Sequence, residues 1–79
     1  MKNYDYYEEA SSLASLLTKD GEDKYATKLN EAIEQGCTGT EILMALKFNI
    51  EEILKLSSIS EASKKKATNL YDKLVEVLQ

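Results

Sequence analysis

The 79-residue chain contains no histidine, arginine, proline or tryptophan, and each absence narrows what the protein can do. Without histidine, it lacks the commonest general base and the commonest metal ligand. Because all ten basic residues are lysines, it also lacks the planar donor fork that binds phosphate or carboxylate through two parallel hydrogen bonds. A chain with no proline and only three glycines has few helix breakers, so the composition favours an all-helical fold.

Cysteine and long apolar runs are also scarce. A single cysteine cannot form an internal disulfide, which predicts a reducing, cytoplasmic location. No apolar run approaches the ~20 residues that cross a bilayer, and the N-terminal MKNYDYYEEASS does not resemble a signal peptide. We expect one domain over residues 1–79, burying only about 60–65% of its unfolded surface. Such a domain has little room for an enclosed active site, so an enzyme is disfavoured.

Charge is distributed unevenly along the chain. Through Glu61 there are twelve acids and six lysines, whereas the remaining residues carry four lysines and two acids. Nucleic-acid binding depends on neutralising many phosphates with cations, so the acidic body argues against it. The triplet Lys64-Lys65-Lys66 is too short to reverse that balance, and it predicts a solvated helix face.

Apolar periodicity and capping residues predict four helices, which cover approximately residues 4–18, 22–35, 38–56 and 58–78. Gly21 and Gly36 follow the first two helices as stops. The sequences TGTE at residues 38–41 and SISE at residues 58–61 fit the capping box that starts a helix.

Short connections between these helices favour a compact antiparallel bundle. Asn49 lies within the apolar arc of the third helix and is a mediocre helix former, so a break there, giving five helices, stays open. The inward face of the last helix is expected to hold Ser63, Ala67, Leu70, Tyr71, Leu74, Val77 and Leu78.

Three features carry a chemical possibility and a plainer explanation. Cys37 precedes a helix start, where a thiolate is stabilised, but no base and no second cysteine are present, which indicates a loop residue. The run GCTG at residues 36–39 lacks the spacing and the lysine of a phosphate-binding loop. Adjacent carboxylates such as Glu51 and Glu52 diverge by about 100° on a helix and indicate solvated surface. No catalytic, cofactor or metal site is predicted.

Met44 and Phe48 are the stronger anomaly. In a straight third helix both project into the arc that also holds Lys47, Glu51 and Glu52, and their spacing of four places them side by side. An exposed apolar pair rimmed by charge is typical of a partner site, here one suited to a partner with a basic rim. The alternative is burial, either because this helix packs on both sides or because a break at Asn49 turns Phe48 inward.

Tyr4 and Tyr7 form a second, softer case beside Glu8. Both lie off the inward face of the first helix, and tyrosine is enriched in binding hot spots. Tyrosines at the surface of a bundle are equally common as filler, and the pattern does not choose between the two.

The segment TGTEILMAL at residues 38–46, with its acidic helical continuation, is similar to segments of small bacterial helical proteins. Over the wider range of residues 29–57, the chain also resembles immunity proteins of toxin–immunity systems, including contact-dependent growth inhibition. The resemblance implies an acidic, cytoplasmic helical protein that binds a basic toxin domain, often a nuclease, and blocks it.

These observations together predict a non-enzymatic protein-binding module, with an immunity-type inhibitor as the leading hypothesis. One alternative is a small regulatory or adaptor protein that self-associates through the same patch. The protein itself is expected to be a monomer or a weak homodimer. Another is a nucleic-acid-binding regulator that uses the lysine-rich last helix. The expected partner contacts are Glu41, Met44, Phe48, Glu51 and Glu52, together with Tyr4, Tyr7 and Glu8.

Overall fold

The computed structural model describes residues 4–36 and 38–79, and these residues form four α-helices and no strand. The helices are α1 (Tyr6–Lys19), α2 (Asp23–Gln35), α3 (Gly39–Ile53) and α4 (Glu61–Leu78). The predicted all-α class with four helices is therefore confirmed.

The four helices are arranged in a ring around one core. α1 packs against α2 and α4, and α3 packs against the same two helices from the opposite side. Helices joined by short connections run antiparallel, as predicted. Each helix contributes one apolar stripe to the shared core, and the large side chains of that core are fully buried. They are Leu13, Leu17, Leu29, Leu46, Ile50, Ile53, Leu70 and Leu74.

Side-chain oxygens cap three of the helix starts. Asp5 accepts a hydrogen bond from the backbone N–H of Glu8 at 3.0 Å, and Thr38 accepts one from Glu41 at 3.1 Å, as the capping pattern predicts. The predicted start of the last helix at Ser58 is wrong, because the N-cap is Ser60. The Ser58 hydroxyl instead donates to the Glu22 carboxylate at 2.7 Å.

α3 passes through Asn49 without a break. Ile50 and Ile53, which follow Asn49, are fully buried and continue the core face begun by Leu46. The packing of these residues outweighs the weak helix propensity of one asparagine, which amounts to only about 0.7 kcal/mol. The five-helix alternative is therefore wrong, and α3 keeps the same face outward along its length.

Val77 is a second departure from the sequence pattern, because its side chain is 46% exposed rather than inward. At the C-terminal end of α4, Val75 and Leu78 are the residues that face α3, and they share a groove with Met44. Val75 and Leu78, rather than Val77, therefore line the groove between the two helices at this end. The other predicted inward residues of α4 are buried or half-buried.

Asp20 connects the corner between α1 and α2 to the first turn of α4. Its carboxylate accepts hydrogen bonds from the Ser63 hydroxyl at 2.6 Å, the Ser60 N–H at 3.0 Å and the Ser60 hydroxyl at 3.2 Å. Ser63 is fully buried, so this carboxylate satisfies its hydroxyl. The next residue, Gly21, has φ of +85° and turns the chain into α2, as predicted.

Stability in acid is expected to depend on Asp20. The Ser63 hydroxyl, then the Ser60 N–H, hold the pKa of Asp20 below its ordinary value of 3.8. A carboxyl whose pKa is lower in the folded state stabilises the fold above its unfolded pKa and loses that contribution as pH falls from about 4 through the lower pKa of the folded state. Asp20→Asn should therefore lower the urea midpoint at pH 7 and reduce the loss of stability on acidification.

Urea unfolding of both proteins between about pH 7 and pH 2.5 measures this effect across the titration of Asp20. Asp72→Asn, at an exposed position of α4, provides the matched control and should follow the wild-type curve. An acid dependence that is the same in all three proteins would contradict the assignment.

Candidate protein-binding surface

Met44 and Phe48 lie on the outer side of α3, one helical turn apart. Their side chains are 58% and 64% exposed, the highest values among the large hydrophobic residues described. α2 and α4 flank α3 on either side, and no described element covers this outer face. The alternative in which these two residues are buried is therefore wrong, and we call the surface around them the α3 face.

Phe48 stands between two grooves that belong to the α3 face. The α3–α4 groove has a volume of about 460 Å³ and is lined by Thr40, Met44, Lys47, Phe48, Glu51, Val75, Leu78 and Gln79. The α2–α3 groove, also of about 460 Å³, is lined by Lys28, Glu31, Ala32, Gln35, Gly36, Ala45, Phe48 and Asn49. Both grooves are open depressions of the surface, and Phe48 lies on the ridge between them.

The acidic residues beside Phe48 are largely paired with lysines. The Glu51 carboxylate accepts hydrogen bonds from the Lys47 ammonium and from the Tyr71 hydroxyl, both at 3.1 Å. The bond to Lys47, followed by the bond to Tyr71, lowers the pKa of Glu51, and the bond to Glu51 raises the pKa of Lys47. Glu52 pairs in the same way with Lys55 at 3.3 Å.

Each groove is consequently balanced in charge, with one lysine and one glutamate in its lining. The prediction of an acidic neighbourhood holds for Glu41, which is exposed in the first turn of α3, but not for the grooves as a whole. The net charge of −4 resides mostly on other parts of the molecule.

The N-terminal residues form a separate site. Tyr4 and Tyr7 line a smaller pocket with Leu43, and Glu8 is exposed nearby on α1. Tyr4 precedes α1 and packs half-buried against the core, so the prediction that it lies on the first helix away from the core is wrong. Its ring is 4.9 Å from that of Tyr6 and 5.5 Å from the Lys73 ammonium. Burial, and next to it the charge of Glu9, raises the pKa of Tyr4. Tyr4 and Tyr7 therefore line a different pocket from Met44 and Phe48.

The lysine triplet of α4 is also divided. The Lys66 ammonium forms a 2.7 Å ion pair with Glu9 on α1, and this pair helps to hold the two helices together. Lys64 and Lys65 are exposed, and they share a shallow depression with Glu61 and Asp72. Two exposed lysines beside two acids give little positive potential, and phosphate binding depends on that potential.

Three properties considered from the sequence are the role of Cys37, metal binding and membrane crossing. Cys37 lies outside the described residues. Across residues 4–36 and 38–79, no three side chains of the types that ligate metals come together in a way that could hold an ion. In the same part of the chain, no helix is both long enough and apolar enough to cross a membrane.

Two residues of the α3 face were not predicted from the sequence as contacts, namely Val75 and Leu78. Together they form the apolar side of the α3–α4 groove that α4 contributes. Their spacing of three places them on one helix face, and Leu78 also lies four positions after the core residue Leu74, which is why it was expected to face inward. Val75 is the one that the core periodicity did not mark, and the sequence does not reveal which helix lies beside it.

Comparison of the chain with protein-family models, with curated proteins and with solved structures finds no match. The resemblance to immunity proteins therefore stays a hypothesis, and functional inference depends on the geometry described above.

Proposed function

We propose that this protein is a non-enzymatic protein-binding module and that the α3 face is its contact surface. The observation that carries the proposal is the exposure of Met44 and Phe48, side by side on a continuous helix between two grooves. Full burial of a side chain such as Phe48 contributes about 1.5–3 kcal/mol. Most of Phe48 is exposed in the monomer, so a partner that covers it would gain much of this free energy. An aromatic anchor bordered by grooves is typical of a binding hot spot.

An immunity-type inhibitor of a basic toxin domain is the form of this function that we favour for a foreign partner. The net charge of −4 supports it, because an acidic protein attracts a basic one over long range and accelerates association. Since the two grooves are balanced in charge, this attraction would come from the molecule as a whole and from Glu41 at the edge of the α3 face. The apolar contacts of Phe48 would then hold the complex.

The direct test uses a basic toxin domain encoded beside the gene and measures its binding by calorimetry. We expect Phe48→Glu to weaken binding by at least ~30-fold, the effect of losing a 2 kcal/mol hot spot. Val77→Glu is the matched control, because it places the same charge at an exposed apolar position outside both grooves and should bind like the wild type. Circular dichroism of both variants verifies that they are folded.

The outcomes separate the surface from the partner. If Phe48→Glu binds as tightly as Val77→Glu, the α3 face is not the contact surface. If no basic toxin domain binds the wild-type protein at low salt, the inhibitor hypothesis is wrong. Binding that weakens steeply with added salt and that depends on Phe48 supports both parts of the proposal.

A further inference from the structure

We infer that the α3 face also binds a second copy of this chain, forming a two-fold dimer in which Phe48 of each copy enters the α3–α4 groove of the other. This inference rests on the proposed function of the α3 face, and it names one specific partner for that surface. Its basis is the combination of shape and charge on the α3 face.

The α3 face carries both a projection and a recess that can receive it. Phe48 projects with 64% of its surface exposed, and the α3–α4 groove beside it offers Met44, Val75 and Leu78 as apolar contacts. In a two-fold dimer both copies contribute the same surface to the interface. Phe48 of the first copy then fills the groove of the second, and Phe48 of the second fills the groove of the first.

Entry of Phe48 beside Met44 fixes the register of the two copies. The two α3 helices run antiparallel, and the axis passes midway between residues 44 and 48. Glu41 of one copy then lies opposite Glu51 of the other. Lys47 is one turn, about 5.4 Å, from Glu51 along its own helix. Its ammonium can therefore pair with Glu51 of its own copy and with Glu41 of the other copy.

The charge balance of the α3 face favours a second copy over a strongly basic partner in the groove itself. Lys47 and Glu51 already neutralise one another at 3.1 Å, so the two groove linings add no net charge, and Glu41 of each copy is the acid that the Lys47 ammonium of the other has to neutralise. Elsewhere the two copies repel, because each carries a net charge of −4. Added salt should therefore strengthen this dimer, whereas it weakens an attraction between acidic and basic proteins.

Sedimentation equilibrium of the full-length chain tests the dimer. We expect the dimers of the wild type and of Val77→Glu to have dissociation constants below about 1 mM. Phe48→Glu should raise the dissociation constant by at least ~30-fold. Raising sodium chloride from about 0.05 to 0.5 M should tighten the dimer rather than dissociate it. A wild-type protein that stays monomeric up to a protein concentration of about 1 mM, at every salt concentration tested, overturns the inference.

Disulfide cross-linking tests the register. In a Cys37→Ser background, one preparation carries Glu41→Cys and a second carries Glu51→Cys. Each variant alone should cross-link poorly, because residues 41 and 51 lie ten positions, or about 15 Å, apart along α3 and a disulfide needs Cα atoms within about 7 Å. An equal mixture should form the mixed disulfide, and the further substitution Phe48→Glu should suppress it.

The remaining outcomes distinguish among the register, the dimer and the proposed function. Rapid cross-linking of Glu41→Cys with itself overturns the antiparallel register. A monomeric protein whose toxin binding still depends on Phe48 overturns the dimer and leaves the proposed function intact. A dimer that dissociates with Phe48→Glu, together with the mixed disulfide, supports the inference whether or not a toxin binds.

Discussion

Leu46→Ala is expected to lower the free energy of unfolding by about 2–5 kcal/mol, whereas Phe48→Ala should change it by less than about 0.5 kcal/mol. The two residues are on the same helix and only two positions apart. Leu46 is fully buried among the core side chains, so its truncation leaves a cavity. Phe48 is 64% exposed, so removal of its larger side chain uncovers little that the fold depends on.

The size of the first effect is large relative to the stability of the whole domain. A domain of this length has a total stability of about 4–12 kcal/mol, so Leu46→Ala removes a substantial fraction of it. Urea unfolding followed by circular dichroism, at a protein concentration well below the dissociation constant of the proposed dimer, measures both variants.

Leu46→Met is the control for the Leu46 site, because it conserves volume and should cost less than about 1.5 kcal/mol. If Phe48→Ala destabilised the monomer as much as Leu46→Ala does, Phe48 would be a structural residue. The assignment of the α3 face as a free surface would then be wrong.

Gly36→Ala is the second large effect, with an expected loss of about 1–3 kcal/mol. Gly36 stops α2 as predicted, but its backbone is extended, so a left-handed conformation is not what requires glycine here. A Cβ atom at this position would overlap the side chain of Ile42 and lie 3.1 Å from the carbonyl oxygen of Ala32. Alanine therefore forces α3 away from the end of α2.

A double-mutant cycle and a matched glycine test this explanation by thermal and urea unfolding. Gly36→Ala should cost less in an Ile42→Ala background, because the side chain that it meets has been removed. At Gly39, a Cβ atom would meet only the Tyr7 hydroxyl at an ordinary 3.7 Å. Gly39→Ala should therefore be neutral or stabilising by up to about 1 kcal/mol. Equal costs at the two glycines would refute the steric argument.

Local signals in the sequence were sufficient to predict the class of the fold. The Thr38 cap, the Gly21 turn and the apolar stripes depend on residues within one or two helical turns, and the structure confirms them. The outward projection of Met44 and Phe48 followed from the same periodicity. It stayed open in the sequence only because a break at Asn49, or cover by another helix, would have changed it.

Contacts between distant segments explain what could not be predicted. Ser60 rather than Ser58 caps α4, and the Ser58 hydroxyl donates to Glu22, more than thirty positions away. Tyr71 donates to Glu51, which leaves that carboxylate less available to a partner than its position on a helical wheel indicates. Val77 is exposed, whereas Val75 and Leu78 line the groove between α4 and α3. Each outcome depends on which helices are neighbours, and periodicity does not contain that information.

The closure of the helical ring has a consequence for how the chain folds. Most helix pairs in contact are consecutive in sequence, and such local contacts form rapidly. Among the helix pairs of the described residues that are in extensive contact, α1–α4 is the pair that is not consecutive, and it is joined by Asp20 with Ser63 and by Glu9 with Lys66, which are 43 and 57 positions apart. The entropy of closing these long loops makes their formation a late event. We therefore expect substitutions of Asp20 or Lys66 to accelerate unfolding while leaving the refolding rate almost unchanged.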